Sequence, residues 1–168
     1  VFDTLDWLEE RLSTQRYLVG NRLTEADWRL FTTLVRFDAV YYSHFKCNRQ
    51  QLRDFPNLQG YLKDLYQVPG VAETVNLDQI KRHYYRSQRT INPTQIVPLG
   101  PRVELEDGHD RGRLGPDFPE AAFTAGGLGG AVHGKADQAR HGVAVGEGGS
   151  FSRLARALWA CSRAPSSE

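Results

Sequence analysis

Apolar residues Val1, Phe2, Leu5, Leu8 and Leu12 recur at spacings of three and four, with Asp3, Asp6, Glu9 and Glu10 on the other side. That period predicts an amphipathic helix over the first dozen residues. The stretch STQRYLVGNR then turns the chain: Gly20 and Asn21 tolerate backbone angles that other residues resist, and Tyr17, Leu18 and Val19 make a short apolar plug. LTEADWRLF, residues 23–31, reads as a helix start. Thr24 and Asp27 have the spacing of a capping box, with Asp in place of the usual Glu or Gln, and Leu23 and Trp28 stand where a hydrophobic staple closes. From Thr24 to about Tyr42 the positions Leu30, Phe31, Leu34, Val35, Phe37, Val40 and Tyr41 cover most of the circumference, which predicts a helix buried in the middle of a bundle.

SHFKCNRQQLRDFPN breaks the pattern, and Pro56 opens a further helix through Leu58, Tyr61, Leu62 and Leu65 to Tyr66, ended by Pro69 and Gly70. A short turn, VAETV, leads to Asn76 or Asp78, either of which suits the cap of a helix running through Ile80 and His83 to about Tyr85. Beyond Arg89, INPTQIVPLGP holds three prolines and is expected to run extended over the bundle. The rhythm is all-α, with no alternation of strands and helices. Two regions follow: a helical domain over residues 1–114, and a Gly/Ala-rich extension over residues 115–168 that carries ten of the sixteen glycines. Such composition is expected to be disordered, apart from a short basic helix in FSRLARALWACSR.

Composition narrows the possibilities. In 168 residues, 40% are hydrophobic and 24% charged, as in a chain with one buried core. A net charge of +1, spread along the chain, argues against a nucleic-acid partner. No apolar run approaches the ~20 residues that span a bilayer, so no membrane partner is expected. Cys47 and Cys161 form neither a disulfide framework nor a CxxC pair, which favours a reducing, cytoplasmic location. His44 and Cys47 make at most half of a metal set, so no metal is expected. GGLGG at Gly126–Gly130 lacks the spacing of a dinucleotide loop. The chain has no Met and begins with Val, which raises the expectation of a piece of a longer protein.

Against that helical frame, YLVGNRLTEADWRLFTTLVRFDAVYYSHFKCN resembles the centre of a glutathione transferase C-terminal domain. The blocks RFDAVYYSHFKCN, FPNLQGYLKDLYQVPGVAETVN, IKRHYYRS and TINPTQIVPLGP are similar, in order and spacing, to the xi class, the S-glutathionyl-hydroquinone reductases; weaker likeness continues through VELEDGHDRGRL. The resemblance implies a glutathione transferase-like helical bundle that forms the substrate wall and the homodimer contact of its parent. In that family an upstream thioredoxin-like domain binds glutathione, as co-substrate, and carries a nucleophilic Cys beside a Pro. No Cys-Pro occurs here, so no catalytic residue is expected in this chain, and isolated activity is not expected. The family's partners are glutathione and aromatic hydroquinone conjugates. The alternative is a non-catalytic helical interaction or dimerisation module on the same fold.

The resemblance also assigns roles. Tyr84 matches the family tyrosine whose phenol hydrogen-bonds the aromatic substrate, with Tyr85 and Tyr41 as further substrate-binding candidates. Tyrosine fits the task because its ring packs on a quinol while its hydroxyl donates to the ring oxygen. Gln88 stands where the family more often has His. Cys47, beside Lys46, lacks the helix N-terminus that would lower its pKa and is read as structural. Val97-Pro98 imitates the glutathione-positioning Val-Pro of thioredoxin-like domains, but in an extended tail. Thr24 and Asp27 remain a structural capping box.

Overall fold

The computed structural model describes residues 1–115. The expectations for the glycine-rich extension, for the basic helix at 151–163 and for Cys161 lie outside these residues. Helix α1 is Phe2–Thr14, α2 is Glu25–Arg36, α3 is Pro56–Tyr66 and α4 is Leu77–Ser87. Among the described residues the strand-like pairing is confined to two isolated bridges, Tyr17 with Gly20 and Val19 with Arg22. These bridges form the turn between α1 and α2, where Gly20 takes φ +66 and its carbonyl accepts the Tyr17 N–H at 2.8 Å. A positive φ of this kind is open to glycine at little cost.

Helix α3 is the centre of the bundle, packed against both α1 and α2. Its Leu58, Tyr61, Leu62 and Leu65 meet Leu5, Leu8 and Leu12 of α1 and Leu30, Phe31 and Leu34 of α2 in one continuous core. Glu9 of α1 caps α3: its carboxylate accepts the Asn57 N–H at 2.9 Å and the Leu58 N–H at 2.8 Å. An acid at the start of a helix satisfies otherwise orphaned donors and complements the helix dipole. Asn76, rather than Asp78, caps α4, its side chain accepting the Gln79 N–H at 2.9 Å.

The capping box at Thr24 and Asp27 is present and does more than begin a helix. Asp27 is fully buried; one carboxylate oxygen accepts the Thr24 N–H and hydroxyl, each at 2.8 Å, and the other accepts the Leu18 N–H at 2.8 Å and the Tyr61 hydroxyl at 2.9 Å. One side chain thus joins the turn after α1, the start of α2 and the middle of α3. The expected continuous helix to Tyr42 stops at Arg36, and the backbone widens there into a π turn over Phe37–Tyr41. Helix α2 also keeps an exposed edge of Glu25, Arg29 and Thr32, so it is buried on one side rather than all round.

After α4 the chain makes turns and then runs without regular structure from residue 95 to 110, as the prolines require. Its end is clamped to the bundle by two buried arginines. Arg16, paired with Asp64 of α3 at 2.7 and 2.9 Å, donates to the Gly115 carbonyl at 2.9 Å. Arg111, fully buried, donates to the carbonyls of Leu12, Gln15 and Arg16 at 2.7–2.8 Å, closing the C-terminal end of α1. Gly60, in the middle of α3, makes room for it: a Cβ there would stand 3.2 Å from the Arg111 Cδ.

Candidate functional site

The π turn at the end of α2 is held open by local bonds. The Tyr42 N–H reaches back five residues to the Phe37 carbonyl at 2.9 Å, and the Cys47 N–H bonds the Tyr41 carbonyl at 3.0 Å. Asp38, buried within the turn, accepts the Leu52 N–H at 2.8 Å; burial raises its carboxyl pKa, partly opposed by that hydrogen bond. Widened turns of this kind re-aim the side chains that follow them and occur often at functional sites.

Here the re-aimed side chains face α4, which packs against the turn. The Tyr41 ring stacks on Phe37, centroids 6.1 Å apart and 18° from parallel, and tilts onto Phe45 at 5.3 Å. Tyr84 of α4 meets Phe45 edge-on at 5.9 Å and stands 6.5 Å from the Tyr41 ring. Behind them His44 lies edge-on to Tyr85 at 4.6 Å, and its Nε2 bonds the Gln88 Oε1 at 2.9 Å. The Tyr85 hydroxyl is taken up by a short hydrogen bond with the Ser43 hydroxyl.

The sequence candidates therefore separate. Tyr41 and Tyr84 share one half-buried aromatic wall, whereas Tyr85 is buried and points into the structural contact with Ser43 and His44. Burial raises the Tyr85 phenol pKa, the Ser43 bond opposing it. Burial also pushes Tyr41 up to about 12, helped by the adjoining Tyr84 phenol. Thr24 and Asp27 lie outside the wall, in the capping network. Cys47 is buried with its thiol towards the Phe45 carbonyl at 3.9 Å, and its neighbour His44 is engaged with Gln88. Arg82, His83 and Arg86 are exposed, Arg82 paired with Asp78 one turn earlier at 2.9 Å.

Sequence reasoning passed over Phe45 as a ring of the wall and Phe37 as the buried ring beneath it, although Phe37, Tyr41 and Phe45 recur every four residues. It also missed Ser43, whose hydroxyl gives no periodic signal. Chemically, the wall offers flat apolar faces for an aromatic ligand and phenol hydroxyls able to donate to an oxygen on it. A separate apolar cleft of about 370 Å3, lined by Trp28, Phe31, Thr32, Pro69, Val71 and Thr74 among others, shares no residue with it.

Residues 1–64 match the family model of the glutathione S-transferase C-terminal domain. The helical part of this chain has the fold of a glutathione S-transferase C-terminal domain. The chain is 57% identical over 111 residues to the glutathionyl-hydroquinone reductase YqjG of Escherichia coli, a match covering 66% of this chain and 34% of that protein. It is also 57% identical over 105 residues to the glutathionyl-hydroquinone reductase PcpF of Sphingobium chlorophenolicum, covering 62% of this chain and 34% of that protein. Among solved structures, the xi-class glutathione transferase of Natrialba magadii superposes with a TM-score of 0.67 at 51% identity, over 68% of this chain and 36% of that one. The glutathione-bound structure of E. coli YqjG gives 0.65 at 56%, over 66% and 36%. The chain thus spans about a third of the length of the relatives it matches. No helix among the described residues is long and apolar enough to cross a membrane.

Proposed function

We propose that this transferase domain supplies the aromatic substrate wall of a cytoplasmic, glutathione-dependent S-glutathionyl-hydroquinone reductase. The observation that carries the reading is the pairing of Tyr41 and Tyr84 over Phe45, in a chain 57% identical to two proteins named for that activity. The reaction displaces a hydroquinone from sulfur. A thiolate on a domain outside this chain attacks the glutathionyl sulfur, the carbon–sulfur bond breaks, and the departing ring carbon takes a proton. A second glutathione then releases the enzyme thiol and leaves as oxidised glutathione. In this scheme Tyr84 donates its phenol proton in a hydrogen bond to a ring oxygen and steadies the charge that grows as the bond breaks, while Tyr41 and Phe45 hold the ring flat. Tyr85 serves the wall from behind, as a buried support. The working unit is a helical domain over residues 1–114 that pairs with a second copy.

The test joins this chain to the part of E. coli YqjG that lies outside the matched segment. The joined protein is expected to turn over a glutathionyl-hydroquinone with glutathione, and the chain alone is not. In the joined protein Tyr84→Phe is expected to lower kcat by about tenfold, the loss of one hydrogen bond made in the transition state. A joined, folded protein without turnover would favour the non-catalytic interaction module, and unaltered kinetics in Tyr84→Phe would remove Tyr84 from the site.

A further inference from the structure

Helix α4, which brings Tyr84 to the wall, has a single buried side chain, Tyr85, and packs against the π turn. Two adjacent residues just past that turn take hold of it. The Ser43 hydroxyl bonds the Tyr85 hydroxyl, and the His44 Nε2 bonds the Gln88 Oε1 at 2.9 Å. An amide oxygen only accepts, so the imidazole nitrogen is the donor. His44 is 3% exposed, and its ring also lies edge-on to Phe45 at 4.8 Å and to Tyr85 at 4.6 Å. One imidazole thus touches the wall through Phe45 and α4 through Tyr85 and Gln88. Gln88 ends α4 one turn beyond Tyr84, on the same side of the helix. A grip at Tyr85 alone leaves the helix free to roll about that point. A second grip about 4.5 Å further along the axis fixes the roll, and with it the direction of the Tyr84 ring.

We propose that His44 is a positioning residue for Tyr84: by gripping Gln88 and Tyr85 it sets the roll of α4 that brings the Tyr84 hydroxyl to the oxygen of a bound hydroquinone. The proposal rests on the wall being the hydroquinone site. His44 is buried behind Phe45, so it acts through α4 rather than on the ligand. Burial holds its imidazole below the usual 6.5, so at neutral pH the ring is uncharged and carries one N–H, which the Gln88 bond places on Nε2. An element with so few buried contacts shifts at little cost, so the loss of one grip is felt at the ring it carries.

The experiment uses this chain with labelled aromatic rings, observed by NMR, and variants at the half-buried Gln88, which leave the core intact. In Gln88→Ala the nuclear Overhauser contact between the Tyr84 and Phe45 rings is expected to weaken, and Gln88→Glu, which keeps an acceptor for Nε2, is expected to restore it. An unchanged contact in Gln88→Ala overturns the grip. Hydroquinone binding is then measured under nitrogen. Gln88→Ala is expected to weaken it about three- to tenfold, and Gln88→Glu to leave it near wild type. His44→Phe keeps a buried ring without the donor and is expected to match Gln88→Ala, the two together costing no more than either; additive losses overturn the pairing. Once Tyr84→Phe has removed the hydroxyl, Gln88→Ala is expected to have no further effect. A loss of the same size in that background, or no loss in either, overturns the positioning role and leaves the wall standing. Failure of the wild-type chain to bind hydroquinone overturns the reading of the wall, and this inference with it.

Discussion

Replacing Asp27 by alanine tests whether the buried carboxylate is the joint of the bundle. The substitution leaves the Leu18 N–H and the Tyr61 hydroxyl, both buried, without the acceptor they meet at 2.8 and 2.9 Å, and deprives the Thr24 N–H and hydroxyl of theirs. Each abandoned buried donor costs about 1–3 kcal/mol. Loss of the cap adds about 1 kcal/mol, whereas the half-buried Thr24 groups can turn to water. The expected destabilisation is about 3–7 kcal/mol, a large part of the roughly 5–15 kcal/mol that holds a domain folded. Urea unfolding followed by far-ultraviolet circular dichroism measures it. Tyr61→Phe removes one donor and leaves Asp27 its other partners, so it is expected to cost only about 1 kcal/mol. The double variant is expected to be less harmful than the sum of the two, because both remove the same bond. An Asp27→Ala chain within about 1 kcal/mol of wild type would refute the reasoning, since water would then be replacing a carboxylate in a site that holds none of its own surface.

Two further outcomes follow from buried charged or titratable groups. Arg111→Met is expected to cost about 2–4 kcal/mol, because it leaves the closing carbonyls of α1 without donors; an unchanged urea midpoint would count against the clamp. Burial holds the His44 imidazole pKa below its usual 6.5, the Gln88 bond opposing and Lys46 adding a lesser push. The unfolded chain therefore takes up a proton near 6.5 that the folded chain refuses, so this contribution to stability is complete above 6.5 and is lost as pH falls from there towards the depressed folded value. Urea midpoints measured on both sides of 6.5 are expected to fall with acid more steeply in wild type than in His44→Gln; equal slopes would refute it.

The helices were legible because their causes are local. Apolar spacing marked α1 and α3, Pro56 opened α3, and the Thr24–Asp27 spacing announced α2. Each of these signals lies within a few residues of the structure it produces. The family likeness was legible in the same way, from blocks in order. What escaped the reading is non-local or breaks a period. The π turn adds a residue to a helical pattern that otherwise continues, so Leu34, Phe37 and Tyr41 look alike in sequence while Tyr41 faces α4 and Leu34 the core. Of the adjacent tyrosines on α4, one joins Tyr41 in the half-buried wall and the next is buried on Ser43 and His44; their order in the chain says nothing of which.

The sequence by itself determined the helices, the Thr24–Asp27 capping box and the class of fold, since propensity, capping and hydrophobic period act between near neighbours. Only the tertiary structure decided that Asp27 binds three elements at once, that Arg111 closes a helix some hundred residues earlier in the chain, and that Tyr41 and Tyr84 meet. Those contacts join positions far apart in the chain, and their geometry exists only after α3 has brought the other helices together around the core.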